Sequence, residues 1–330
     1  MTMIPTMPII GPSAWKGCDL TGDPSWSHHL AADELRALDH AITAARKTGL
    51  PWTKLTREHF ALRELGHEIR HWMQKLNHGR GFVLVKGFPV DDYSKEDAAI
   101  AYWAIGRLMG DPVPQNKEGE LLGHVRDTGE LATNPRTRLY KTSKRQEFHT
   151  DGADIVGLFC LRRAKAGGLS QIVSSASVFN EILRRRPDLT PRLFEPFYWD
   201  LAGEHPPGAK PYMTLPICQL VNGRLRTFYI GWYIRNAQQY PEVPRLTQEQ
   251  DEVLQLIEEI ANDPEFRLDM DFEPGDMQFL KNSTILHSRT AYEDFDEPDR
   301  QRHLLRLWLT AREFTDGDEL LRQGFRGDTR

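Results

Sequence analysis

The first third of the chain carries apolar residues at helical spacing. This pattern predicts helices over Ala32–Lys47, Arg57–Leu76 and Lys95–Met109. Between the last two lies the run GFVLVKGF, Gly81–Phe88, which is short, rich in β-forming residues and bounded by glycines. Such a run is typical of a buried strand. We therefore expect a mostly helical N-terminal part that contains one buried strand.

From about Leu122 onward, short apolar runs are separated by Gly, Pro, Asn and Asp. The runs predict strands at Gly157–Leu161, Gln171–Ser174, Leu215–Leu220, Leu225–Ile230, Met277–Leu280 and His303–Leu309. Two helical patterns interrupt them, Val178–Arg186 and Thr247–Asn262, and the second begins with TQEQ, which fits a capping box. Regularly punctuated short strands favour a β-sandwich or jelly roll decorated by helices. No GxGxxG or Walker loop supports a doubly wound α/β sheet.

The predicted organisation is a single domain over residues 1–330. In it, a mostly helical part, 1–110, packs on a β core with helical insertions, 111–330. The net charge of -5, with 27% charged residues, gives no basic cluster of the kind that binds nucleic acid. Three widely spaced cysteines favour a reducing compartment, and no apolar stretch approaches the roughly 20 residues of a membrane span. We expect a cytoplasmic protein with a small-molecule partner and no nucleic-acid or membrane partner; formation of a homo-oligomer stays open.

The segment EFHTDGAD places a histidine and a carboxylate two residues apart. Residues i and i+2 of an extended segment point the same way, so His149 and Asp151 could converge on one metal ion. His287 follows a strand-like run in the C-terminal third and offers a third ligand. Two histidines and one carboxylate leave open coordination positions and suit non-haem Fe(II) that activates O₂. Taken alone, the segment is more typical of a surface turn, an interpretation that Gly152 and Asp154 favour.

The segment RHLLRLWL carries Arg302 and Arg306 in a predicted buried strand. A buried guanidinium requires an anion, and its forked donors fit a carboxylate. That anion could belong to a bound acid or to the acidic EDFDEPD loop, and the arginines alone do not decide between the two.

Four stretches, in this order, resemble the taurine dioxygenase (TauD/TfdA) family of Fe(II)/2-oxoglutarate-dependent oxygenases. They are FHTDGAD, AGGLSQIVSS, EPGDMQFLKNSTILHSRTAYED and RHLLRLWL, and the resemblance extends from roughly Gly79 to Arg312. It implies a mainly β fold with helical decoration, the cupin-like jelly roll known as a double-stranded β-helix. It also implies that a small organic substrate is hydroxylated, desaturated or oxidatively cleaved while 2-oxoglutarate and O₂ yield succinate and CO₂.

The resemblance also implies roles for six residues. The expected iron ligands and catalytic residues are His149, Asp151 and His287. Ser170 stands where the family's GGxT/S motif places a hydroxyl for the distal carboxylate of 2-oxoglutarate, and Arg302 matches the arginine that forms a salt bridge with it. Arg306 matches a second arginine, which in relatives lies near the substrate or the co-substrate and which favours an anionic substrate.

Four further residues are candidate substrate contacts: Asn116, Tyr140, Trp232 and Tyr233. Asn116 and Tyr140 precede the His149 segment, where relatives tend to place such contacts. Trp232 and Tyr233 belong to YIGWYIRNA, and their alternative is a role in the core or in anchoring a loop.

Two other classes of function stay open. The stretch HEIRH, His67–His71, matches the HExxH signature of zinc peptidases, in which Glu68 would be the base. Its charged neighbours favour an amphipathic helix instead, with Leu65, Ile69 and Trp72 facing the core. A chain of this fold could also bind a metal or a 2-oxo acid without catalysis.

Overall fold

The computed structural model describes residues 4–60, 62–116, 118–130, 138–205 and 208–317, and the structural statements below refer to these residues. The α-helices are α1 (Ala32–Lys47), α2 (Arg63–His78), α3 (Lys95–Met109), α4 (Ser175–Arg185), α5 (Gly231–Ala237) and α6 (Gln248–Asn262). The strands are β1 (Ser27–His29), β2 (Phe82–Lys86), β3 (Asp111–Pro112), β4 (Leu122–Val125), β5 (Gln146–His149), β6 (Ile155–Arg162), β7 (Ala166–Gly167), β8 (Ser170–Ser174), β9 (Pro196–Asp200), β10 (Tyr212–Pro216), β11 (Cys218–Val221), β12 (Arg224–Thr227), β13 (Arg267–Met270), β14 (Met277–Lys281), β15 (Ile285–Arg289), β16 (Tyr292–Glu293) and β17 (His303–Thr310).

Two facing sheets form the centre of the fold. The larger has the strand order β1-β2-β14-β6-β17-β3, with β4 also paired to β17, and the smaller has the order β13-β8-β15-β5. Apolar side chains of both sheets meet between them, among them Phe82 and Leu304 of the larger and Ile172 and Ile285 of the smaller. The predicted mainly β, cupin-like jelly roll is confirmed.

Helices cover the outer faces of both sheets, because strand residues alternate between the two sides. On β2, Phe82 and Leu84 point into the space between the sheets, while Val83 and Val85 pack with α1, α2 and α3. Behind the smaller sheet, Val173 packs in the cluster that contains α4 and α6. The assignment of the whole chain to one domain stays a prediction.

Several element boundaries differ from the sequence pattern: the predicted strand Leu225–Ile230 ends at Thr227, and the predicted helix Val178–Arg186 begins at Ser175. Two other differences change the elements themselves. The predicted helix start at Arg57 is wrong: Arg57–His59 forms a separate 3-10 turn, after which Phe60 adopts extended geometry and buries its ring. The predicted strand Leu215–Leu220 is divided at Ile217 into β10 and β11, because the two halves pair with different strands, β9 and β12. The hydrophobic pattern does not show which partner a strand selects.

The capping box predicted at TQEQ is confirmed. Thr247 Oγ1 accepts a hydrogen bond from the backbone N–H of Gln250, and the Gln250 side chain accepts one from the backbone N–H of Thr247. Helix α6 begins at the next residue.

His303 and His124 form an imidazole pair on the outer face of the larger sheet. Nδ1 of His124 lies 2.8 Å from Nε2 of His303. His303 alternates with Arg302 and Leu304, which line the cavity on the inner side. Burial, followed by the charge of His124 and of nearby cations, lowers the pKa of His303 to about 3, and burial also lowers the pKa of His124.

We expect the free energy of unfolding to fall as the pH drops from about 6.5 toward about 3. The unfolded imidazoles bind protons over this window while the folded pair stays neutral, so acid favours the unfolded state. Because part of the imidazole pair is solvated and screened, we expect the free energy of unfolding to fall by about 2 kcal/mol over this window. The free energy of unfolding, measured with urea at several pH values, should change less with pH in His303→Phe than in the wild type. His67→Phe, at an exposed position, is the control. If the free energy of unfolding depends on pH equally in His303→Phe and in the wild type, the imidazole pair is not the cause.

Candidate active site

Three side chains meet at one end of the smaller sheet. His149 is the last residue of β5, and His287 lies directly opposite it on β15. Asp151 follows in a segment held extended by Thr150, whose N–H donates to Tyr229 O at 2.7 Å and whose Oγ1 accepts from Tyr229 N–H at 2.9 Å. All three side chains are buried, so the segment is not a surface turn.

The donor atoms of the three side chains lie within 4.8 Å of one another. Asp151 Oδ1 is 3.8 Å from His149 Nε2, and Asp151 Oδ2 is 3.6 Å from His287 Nε2. His149 Nδ1 donates to Glu147 O at 2.8 Å, so Nε2 is the unprotonated nitrogen, and it accepts from the Gln146 amide at 3.0 Å. Burial lowers the pKa of His149 to about 3 and keeps the ring neutral, as a metal ligand requires.

The Asp151 carboxylate is ionised and fixed in orientation. Burial alone would raise its pKa, but the charge of Arg306 holds that pKa well below its usual range. Arg306 Nη1 is 3.7 Å from Asp151 Oδ2, and Trp308 Nε1 donates to the same oxygen at 2.9 Å. Such a contact between a tryptophan and a ligating carboxylate sets its orientation.

Two neutral imidazoles and one carboxylate fit a ferrous ion. Among the described residues, the other group that could hold a metal is His28, Glu34 and Glu68. There Glu34 already accepts the backbone N–H of Ala31 at 2.7 Å, at the start of α1, and His28 Nε2 at 2.9 Å, so the group has a structural function in the helix cap.

Asn282 fixes the backbone of the Asp151 segment. Its Oδ1 accepts from Asp151 N–H at 2.8 Å, and its Nδ2 donates to the carbonyl oxygens of Asp151 at 2.6 Å and Ala153 at 2.9 Å. Asn282 follows β14 and therefore ties the ligand segment to the larger sheet. Sequence reasoning missed this residue; its only signal was an asparagine two residues after the predicted strand Met277–Leu280.

A cavity extends from the two histidines toward Ser170 and Arg302. Ser170 Oγ exchanges hydrogen bonds with the Gln278 amide at 3.2 and 3.3 Å. Arg302 is buried, and its Nη1 has no hydrogen-bond partner among the described residues. The acidic loop does not neutralise this guanidinium: Asp294 accepts only the backbone N–H of Arg302, at 2.7 Å. A buried, unpaired guanidinium at the end of a cavity fits the carboxylate of a bound acid.

Arg306 lies beside the triad and is held rigidly. Its Nε donates to Gln115 Oε1 at 2.8 Å, and Gln115 Nε2 donates back to Arg306 O at 2.8 Å. The guanidinium stacks between two rings, with its carbon 4.6 Å from the centre of Tyr140 and 4.7 Å from that of Trp308. Sequence reasoning missed Gln115 and Trp308, because both act through contacts between distant parts of the chain.

The structure places Trp232 and Tyr233 on α5, a helix that the sequence pattern did not predict. The Trp232 ring is 5.2 Å from the His149 ring, and Tyr233 packs against Trp232 at 5.8 Å. Asn116 lies in a turn, where its amide exchanges hydrogen bonds with Glu120 at 2.7 and 3.1 Å. Substrate contact stays a prediction for these three residues and for Tyr140.

The HExxH stretch lies on the outer side of α2. His67 and His71 are exposed, whereas Leu65, Ile69 and Trp72 are buried in the cluster against the larger sheet. Neither histidine belongs to a group of donors that could hold a metal within the described residues. The amphipathic-helix interpretation is confirmed.

Fold and donor set together define the class: the protein is an Fe(II)- and 2-oxoglutarate-dependent dioxygenase. The sequence model of the family described as "Taurine catabolism dioxygenase TauD, TfdA family" matches residues 47–308. The chain belongs to this family. FR-33289 synthase of Streptomyces rubellomurinus is 31% identical to it over 94% of this chain and 93% of the synthase.

Two solved structures share the fold. An asparagine oxygenase in complex with Fe(II), 2S,3S-3-hydroxyasparagine and succinate superposes with a TM-score of 0.68 at 15% identity, over 91% of this chain and 98% of that one. The non-haem iron oxygenase OrfP in complex with Fe and alpha-ketoglutaric acid superposes with a TM-score of 0.64 at 14% identity, over 91% of this chain and 98% of that one. Within the described residues, no helix is both long and apolar enough to cross a membrane.

Proposed function

We propose that the buried triad binds the iron of this dioxygenase through His149, Asp151 and His287. The observation that carries the proposal is their convergence, with donor atoms within 4.8 Å, beside a cavity that ends at an unpaired buried guanidinium. When bound, the iron supplies the O₂ activation that couples decarboxylation of 2-oxoglutarate to substrate oxidation. The protein orients the reactants and excludes water around them.

The cavity suits 2-oxoglutarate along its whole length. In this proposal Arg302 and Ser170 bind the distal carboxylate, and the apolar walls of Leu158, Phe272 and Leu304 contact the two methylene groups. The 2-oxo acid end then faces the triad. Arg306 keeps the Asp151 carboxylate ionised and contacts the Tyr140 ring.

The substrate in this proposal is a small molecule with an oxyanion: a sulfonate, phosphate, phosphonate or carboxylate. Arg138 supports this. Its Nη1 donates to Gln115 O at 2.7 Å, and its Nη2 lies 3.9 Å from the Glu204 carboxylate. Its guanidinium carbon is 6.0 Å from the centre of Tyr140, the ring that also contacts Arg306. Two guanidinium groups therefore flank one ring next to the triad. Taurine, the compound in the family's description, is itself a sulfonate.

The aromatic residues Tyr140, Trp232 and Tyr233 form the wall of the substrate site in this proposal. Asn116, which lies in the neighbouring turn and bonds Glu120, is a further substrate contact in this proposal. We further propose that the protein acts in the cytoplasm without nucleic-acid or membrane partners, which its net charge of -5 and sparse cysteines favour.

An assay of succinate release tests both the proposed site and the anionic substrate. The protein is supplied with 2-oxoglutarate, Fe(II) and a panel of sulfonates, phosphate esters and carboxylates, and in parallel with their neutral amides or esters. We expect stimulation by anionic members. Arg138→Gln should then raise KM for the best substrate by about 10- to 100-fold with a smaller change in kcat, since one charge-assisted hydrogen bond is lost. Arg235→Gln is the control, because Arg235 lies on α5 but pairs with Asp251 at the surface at 2.6 Å.

Stimulation by neutral or cationic compounds alone contradicts the anionic substrate. No succinate under any condition contradicts the proposed site.

A further inference from the structure

Arg289 is a second buried arginine at the distal end of the co-substrate cavity, and the roles proposed above do not use it. It lies two residues after His287 on β15, so both side chains point to the same face of the strand. On the adjacent strand β8, Ser170 is its direct register partner. Arg289, Arg302 and Ser170 line the same cavity.

Only part of the Arg289 guanidinium is used by the protein. Nη2 donates to the carbonyl oxygens of Thr142, at 2.8 Å, and Lys144. Nε and Nη1 are buried and have no hydrogen-bond partner within the described parts of the chain. Burial, followed by the charge of Arg302, lowers the pKa of Arg289 to about 10, so the side chain remains a cation at neutral pH.

The two arginines form one cationic end wall. Their guanidinium carbons lie 4.8 Å and 5.0 Å from the centre of the same ring, Tyr292. Over the described ranges, neither guanidinium forms an ion pair with an acidic side chain. The ring stabilises the charges in part, but it leaves in-plane N–H donors of both groups unpaired. Two buried like charges without a counter-ion are unfavourable, so the wall requires an anion with several acceptor sites.

A carboxylate meets this requirement, because its two oxygens offer about four lone-pair sites. Arg302 and the Ser170 hydroxyl occupy only part of them. We propose that Arg289 is a specificity-determining residue that binds the distal carboxylate of the co-substrate together with Arg302. The pair makes the enzyme select 2-oxo dicarboxylic acids over 2-oxo monocarboxylic acids. This inference rests on the proposed co-substrate site.

The alternative is that Arg289 only fixes the loop at Thr142 and Lys144. Both roles predict some loss of stability on substitution, so stability does not separate them. They differ for a 2-oxo acid that lacks the distal carboxylate. If Arg289 only fixes the loop, its loss weakens the binding of all 2-oxo acids alike. If it binds the distal carboxylate, its loss weakens the binding of the dicarboxylic acid only.

The experiment compares binding of 2-oxoglutarate with binding of 2-oxobutyrate, which has the same carbon chain without the distal carboxylate. Dissociation constants are measured by calorimetry on the full chain loaded with Mn(II) without O₂, so no turnover is needed. We expect Arg289→Gln to raise the constant for 2-oxoglutarate by about 10- to 100-fold, the effect of losing hydrogen bonds to a charged group. The constant for 2-oxobutyrate should stay at the wild-type value.

Arg224→Gln is the matched control, because Arg224 also donates to a backbone carbonyl, Asn77 O at 2.8 Å, but lies outside the cavity. It should leave both constants unchanged. Arg289→Lys keeps the charge and should recover part of the preference for 2-oxoglutarate; it also carries the test if Arg289→Gln does not fold.

If Arg289→Gln raises the dissociation constants of both acids equally, or changes neither, the proposal is wrong. Wild-type protein that binds neither acid overturns the co-substrate site itself. Wild-type protein that binds both acids equally overturns the distal-carboxylate anchor as a whole, with the roles of Arg302 and Ser170 as well as that of Arg289.

Discussion

Asp151→Ala is expected to abolish turnover and to weaken Fe(II) binding by more than about 100-fold, because even residues that only support a metal ligand contribute 10- to 100-fold. The substitution leaves two neutral imidazoles and removes the only negative donor of the triad. It also leaves the Arg306 guanidinium, 3.7 Å away, without its buried counter-charge. The local charge then becomes repulsive to a divalent cation.

The measurement is an anaerobic titration of Fe(II) and 2-oxoglutarate, which should give a weak visible charge-transfer band in the wild type and none in Asp151→Ala. His149→Ala should behave in the same way. His71→Ala is the control, because this histidine is exposed on α2 and lies outside the triad. A band that persists in both triad variants shows that the ligand set is wrong, and a band lost in His71→Ala shows that the HExxH interpretation was dismissed in error.

Asn282→Ala is expected to lower the free energy of unfolding by about 3 kcal/mol and Fe(II) affinity by about 10- to 100-fold. Alanine leaves the Asp151 N–H and the carbonyl oxygens of Asp151 and Ala153 without their partner in a buried place. The segment then gains freedom to move, and the carboxylate is no longer held opposite the two imidazoles. We therefore expect Asn282 to act as a positioning residue, through the backbone of the Asp151 segment and not as a metal ligand.

Denaturant unfolding and calorimetric Mn(II) binding measure the two effects separately. Asn180→Ala is the matched control, because Asn180 clamps a backbone in the same way: its amide exchanges hydrogen bonds with Ile9 N–H and Ile9 O at 2.7 and 2.8 Å, far from the triad. It should lose stability without losing metal affinity. Unchanged metal affinity in Asn282→Ala contradicts the positioning role.

The convergence of the three candidate metal ligands was predictable in part, because some of their geometry is local. His149 and Asp151 are two residues apart in an extended segment, and that spacing alone puts both side chains on one side. His287 required more: its position opposite His149 depends on the register between β15 and β5. The order of four motif stretches supplied that information through a resemblance, not through any local pattern.

HEIRH shows the opposite case, a local match with no site. Its spacing puts His67 and His71 on one helix face, as a zinc site needs. The buried face of the same helix is fixed by Leu65, Ile69 and Trp72, so the histidines point to solvent. A motif five residues long does not specify what lies opposite it.

By itself, the sequence determined the jelly-roll class, the helical decoration and the pairing of His149 with Asp151 on one side of an extended segment, because periodicity and short-range spacing are encoded in neighbouring residues. Only the tertiary structure revealed Asn282 behind Asp151, Gln115 behind Arg306, and Arg289 beside Arg302. These relations depend on strand register and on which buried donors lack partners. Both follow from the packing of distant segments, and the order of residues along the chain does not show them.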